Sequence, residues 1–122
     1  MIWFAISGNL FIRVDMEVFI FLYFVNLVLD YPLQGDFLAK EKANSNYLLF
    51  VHSAIWGLGV SMALIPVGLF AWWKVVMLVA GHYVIDYVKC RGYYGKYTRL
   101  NERHQLYVDQ LLHVVQLLIV IV

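Results

Sequence analysis

Apolar residues fall into four long runs along the chain, and the polar residues between them mark where each run stops. The first run, Val18 to Leu29, carries Phe19, Phe21, Leu22, Phe24, Val25 and Val28. It follows Arg13, Asp15 and Glu17 and ends at Asp30-Tyr31-Pro32, because proline lacks an amide hydrogen and biases the preceding residue away from helix. Leu33 to Asn46 is polar and reads as a loop or short amphipathic helix. The second run extends from Tyr47 to about Ile65, and Pro66 and Gly68 make the turn that follows. Within it Ser53, Gly57 and Ser61 recur every four residues, a stripe of small side chains that lets another helix approach closely. The third opens on Trp72-Trp73-Lys74 and closes on Lys89-Cys90-Arg91; at helical rise the distance from Trp72 to Lys89 is about 26 Å, close to the ~30 Å of a hydrocarbon core. A basic, tyrosine-rich loop leads to the fourth run, from about Gln105 to Val122.

This pattern predicts an all-α protein, an integral membrane bundle of about four transmembrane helices over residues 16–30, 47–65, 72–89 and 105–122. Residues 1–15 form an apolar N-terminal extension ahead of a single helical domain, 16–122, and are expected to be an interfacial helix or a frayed segment. They lack the positively charged start and small-residue cleavage site of a signal peptide.

Composition agrees: 63% of the 122 residues are hydrophobic and 14% are charged, well outside the range of ordinary soluble domains. A net charge of +1 with no separate basic patch argues against a nucleic-acid partner. The lone Cys90 excludes an intrachain disulfide and reads as an inert interfacial thiol. Seven of the nine basic residues (Lys40, Lys42, Lys89, Arg91, Lys96, Arg99 and Arg103) fall on one side of the predicted spans, leaving Arg13 and Lys74 on the other. The side with seven is expected to be cytoplasmic, with both termini outside.

The ionisable residues within the spans then share a level. Asp30 closes the first span, His52 lies about 9 Å into the second, His82 about 10 Å into the third with Asp86 one turn nearer the cytosol, and Asp109 and His113 about 9 and 15 Å into the fourth. An unpaired charge near mid-bilayer costs on the order of 3 kcal/mol, so a shared site in the cytoplasmic half is the economical arrangement. His82 with Asp86, and Asp109 with His113, stand four residues apart and so on one helix face. Imidazoles and carboxylates together suit a divalent metal, zinc first, and the candidate ligands are His52, His82, Asp86, Asp109 and His113, with Asp30 as general base or further ligand. A metal-free hydrogen-bonded network and a proton or cation path are the competing readings. Taken alone, His52 reads more readily as a packing residue. His104 belongs to the basic loop, the tyrosines at 83, 87, 93, 94, 97 and 107 to an interfacial belt, and Asp36 and Gln34 to solvent unless their loop folds back.

The stretches Asp30-Tyr31-Pro32-Leu33-Gln34-Gly35-Asp36-Phe37 followed by Lys42, then Leu48 to His52, His82 to Lys89, and Asp109-Gln110-Leu111-Leu112-His113 resemble an uncharacterised family of small bacterial and phage membrane proteins. The family pattern has a histidine one turn before its first aspartate, where this chain has Asn26, and has no counterpart of residues 1–15, which makes Met16 a candidate start. More distantly the chain is similar to inner-membrane proteins described as metal-dependent hydrolases. The distant similarity implies a metal-dependent hydrolase and no substrate; the depth of the site, open toward the headgroups, would suit a lipid or another amphiphile, in a multi-pass protein of the cytoplasmic membrane. The alternatives are a non-enzymatic, metal-stabilised scaffold or interaction subunit, and a proton or cation carrier. The bilayer is the expected partner, and an oligomer is compatible with the pattern.

Overall fold

The computed structural model describes residues 2–6, 10–31, 35–92 and 102–122. The chain opens with two antiparallel strands, β1 (Ile2–Ile6) and β2 (Leu10–Val14), in a register that pairs Ile2 with Val14 and Ile6 with Leu10. The expected interfacial helix is therefore a hairpin, consistent with the β-branched and aromatic content of Ile2, Trp3, Phe4, Phe11 and Ile12. From Met16 onward every described element is a helix: α1 (Met16–Asp30), α2 (Gly35–Glu41), α3 (Asn46–Leu64), α4 (Trp72–Cys90) and α5 (Glu102–Ile121).

The charged residues before the first apolar run set where α1 starts. Asp15 caps it by accepting from the amides of Glu17 (3.1 Å) and Val18 (3.5 Å). Ser45 does the same for α3 through the Leu48 amide at 3.3 Å. Between α3 and α4 the chain reverses through Gly68 at φ 74°, a conformation that glycine adopts without steric cost. Lys74 folds back there and donates to the Leu69 carbonyl at 2.7 Å, so this basic residue braces the turn and is buried.

The helices pack with α3 at the centre, against α4 on one side and α1 on the other, and α5 closes the bundle against α4 and α1. The small-residue stripe lies buried at the α3–α4 contact. A Cβ on Gly57 would stand 2.9 Å from the Val79 amide nitrogen, so only glycine permits this approach. Ser53 and Ser61 satisfy their hydroxyls on the carbonyls one turn back, at 2.9 and 2.6 Å. One half of the bundle has an apolar core of Leu22, Val60, Leu64, Leu78, Leu117, Val120 and Ile121, with Trp56 as its floor. The other half buries Asp30, Lys42, His52, His82, Asp86, Asp109 and His113. Outward faces are the reverse, with large apolar side chains such as Phe24, Met62, Val76 and Leu111 exposed.

Among the described residues two helices are long and apolar enough to cross a membrane, Asn46–Leu64 and Arg103–Ile121, with hydropathies of 1.6 and 1.3. The other two expected spans fall short for physical reasons. Helix α1 has 15 residues, about 22 Å at helical rise, and α4 carries Lys74, His82, Asp86 and Lys89 within its length.

Candidate metal centre

Each helix delivers its polar groups at the same level. Asp30 is the last residue of α1; His52 lies near the start of α3; His82 and Asp86 share one face of α4; Asp109 and His113 share one face of α5. The Nε2 atoms of His52 and His82 are 3.0 Å apart. Asp30 Oδ1 is 3.3 Å from the first and 3.8 Å from the second, and Asp86 Oδ2 is 3.2 and 3.5 Å from them. These four residues are all at most 5% exposed.

Those separations permit a test of fit. Zinc bonded to nitrogen and oxygen at about 2.0–2.1 Å in a tetrahedron holds its donors about 3.3–3.4 Å from one another. The five separations above run from 3.0 to 3.8 Å and bracket that value. The donor set could hold a metal ion.

The hydrogen bonds behind the donors set the tautomers. His113 Nδ1 lies 2.7 Å from the Asp109 carbonyl, which only accepts, so this nitrogen carries the hydrogen. In a neutral His113 the Nε2 is then an acceptor, and at 2.9 Å it takes a hydrogen from His82 Nδ1. A neutral His82 therefore turns a bare Nε2 lone pair toward His52, Asp30 and Asp86, as a metal ligand must. Trp56 stacks on the His82 ring with centroids 4.2 Å apart and donates to Asn26 Oδ1 at 3.1 Å, fixing the imidazole from below.

His113 and Asp109 thus stand one step back from the convergence point. A second, wider grouping of Asp30, Asp109 and His113 has donor atoms within 4.8 Å. Both His113 nitrogens are committed to hydrogen bonds, however, so the grouping of Asp30, His52, His82 and Asp86 is the better cation site.

Several contributors were not read as site residues from the sequence. Lys42 places its ammonium 2.8 Å from Asp86 Oδ2. Gln110 Nε2 faces Tyr31 Oη at 3.0 Å, Asp109 Oδ2 at 3.4 Å and Asp30 Oδ2 at 3.5 Å. Lys89 was legible as the residue one turn beyond Asp86 on its face, and Trp56 as the residue one turn beyond His52; Lys42 lies between helices, where periodicity says nothing. No hydrogen-bond donor among the described residues reaches Asp86 Oδ1, Asp109 Oδ1 or Gln110 Oε1, all buried. Burial and the neighbouring Asp30 push the Tyr31 phenol up. His104 is exposed on α5 beside Tyr107, and Asp36 is exposed on α2, away from the cluster. Gln34 and the tyrosines at 93, 94 and 97 lie outside the described residues.

Fold and site together define a helical bundle with an apolar exterior and a buried histidine-aspartate core able to hold a metal ion. The chain belongs to the family described as "Protein of unknown function (DUF3307)", which it matches over residues 18–122. No curated protein and no solved structure matches it.

Proposed function

We propose that this is a multi-pass protein of the cytoplasmic membrane, in which four helices enclose one divalent metal, zinc by its donor set, and that the centre hydrolyses a membrane amphiphile. The observation that carries the proposal is the convergence of Asp30, His52, His82 and Asp86 on one point, with His82 presenting a bare nitrogen. The membrane setting is supported by the inversion of polarity, in which charged groups are buried and large apolar groups such as Phe24 and Met62 face outward.

The chain's residues divide the work. Asp30, His52, His82 and Asp86 hold the ion, His113 and Trp56 orient His82, and Lys42 and Lys89 offset the carboxylates. A bound zinc would supply Lewis acidity and a water-derived nucleophile at neutral pH. Gln110 and Tyr31 link Asp30 to the surface, so a substrate group would have a polar route to the centre.

A second reading is favoured by one observation: the four groups that would hold the ion are all buried protein donors, as in a structural site. Full-length protein in lipid bilayers, loaded with zinc, separates the two. Hydrolysis of an ester-linked amphiphile that disappears in His82→Ala and on chelation is expected, whereas one bound zinc without turnover of any phosphate or carboxylate ester would establish the scaffold. Orientation is checked in a Cys90→Ser background, where Lys40→Cys should label from the cytosolic side and Val67→Cys only from outside.

A further inference from the structure

With neutral imidazoles, Asp30, Asp86 and Asp109 bring three negative charges and Lys42 and Lys89 two positive ones, a sum of minus one. One divalent cation turns that into plus one. An uncompensated charge is expensive in so buried a setting, and a monoanion restores neutrality where a dianion would overshoot.

The donors for such a guest are present. Lys42 pairs with Asp86 and Lys89 with Asp109, each ammonium carrying three hydrogens. The Tyr31 phenol accepts from Gln110, which leaves its own hydrogen for a guest, and Tyr31 is 48% exposed at the polar opening. Asn26, fully buried one turn before Asp30 on the same face of α1, has an Nδ2 donor with no partner among the described residues. An apolar groove of about 280 Å³, lined by Phe21, Phe24, Val25, Val28, Leu29 and Gly59, runs along α1 to the residue preceding Asp30.

We propose that this groove and the lysines of the polar cluster together hold a monoanionic phosphate diester of a membrane amphiphile, its acyl chain in the α1–α3 groove and its phosphate beside Lys42 and the metal ligands. This rests on the metal reading above. A diester carries the single charge the centre lacks, and its two unesterified oxygens meet the ion and an ammonium at once.

The test uses the full chain loaded with zinc in detergent, titrated calorimetrically with dioctanoylphosphatidylglycerol, dioctanoylglycerol, octanoate and inorganic phosphate. The phosphatidylglycerol should bind and the uncharged dioctanoylglycerol should not. Lys42→Met should weaken binding about tenfold while still holding one zinc, and Lys42→Arg should restore it. Val28→Trp, which fills the groove, should weaken the lipid and leave inorganic phosphate unaffected; phosphate binding as tightly as the lipid would make free phosphate the source of the same chemistry and overturn the groove assignment. Equal binding of phosphatidylglycerol and dioctanoylglycerol, or of octanoate and phosphatidylglycerol, with one zinc bound would overturn the ligand assignment alone. A chain that takes up no zinc would overturn the metal reading instead.

Discussion

The two halves of this bundle are built from the same four long helices but cohere in different ways. On one side of Trp56, Leu22, Val60, Leu64, Leu78, Leu117 and Val120 fill the interior, and any apolar side chain of similar volume would serve there. On the other side, Asp30, Lys42, His52, His82, Asp86, Asp109 and His113 form a chain of directed contacts in which each group depends on a named neighbour. Apolar packing gives the bundle its shape; the polar half gives it a single arrangement, because an unmatched charge or lone pair there has no water to turn to. Trp56 belongs to both, with one face of its environment apolar and its ring against His82.

The contrast can be broken most severely at Asp86. Asp86→Ala leaves Lys42 buried without its partner and deletes a metal donor, so a loss of about 3–5 kcal/mol in unfolding free energy is expected, together with loss of bound zinc. Thermal and denaturant unfolding in detergent measure the first and elemental analysis the second; near-normal stability would show the polar half to be dispensable. Leu117→Ala, in the apolar half, should cost about 2–5 kcal/mol through the cavity it leaves, yet retain one zinc per chain. Coupled loss of metal in that variant would mean the halves do not act separately. His113→Ala should lower zinc affinity about 10- to 100-fold, read by competition with a chelator of known strength, because it frees the His82 tautomer without removing a donor. Gly57→Leu should cost about 1–3 kcal/mol by forcing α3 away from α4, and wild-type detergent stability in it would rule out the close contact at Val79.

Sequence periodicity located the long helices to within a few residues, since charged flanks and turn residues punctuate the apolar runs at Asp15, Pro32, Pro66 and Gly68. The shared level of the ionisable residues was legible too, because helical rise converts position into depth, and the structure brings His52, His82, Asp86 and Asp30 together. Spacing could not say which imidazole nitrogen faces the centre or that His113 stands behind His82, since both follow from side-chain torsions across helices. Lys42 entered the sequence reading as a basic loop residue and as part of the family resemblance, with no place at the site, because its position between α2 and α3 has no periodicity to place it. The N-terminal hairpin was missed for a related reason: short apolar runs do not distinguish strand from helix.

The central claim is that four side chains from three helices hold one metal ion. Zinc content and X-ray absorption at the zinc edge, measured on the purified full-length protein, address it directly. The account predicts one zinc per chain bound by two imidazole nitrogens and two carboxylate oxygens at about 2.0–2.1 Å, lost in His82→Ala and kept in His104→Ala. A metal-free protein of full stability, or a zinc bound equally well without His82, would contradict it and leave a hydrogen-bonded network in its place.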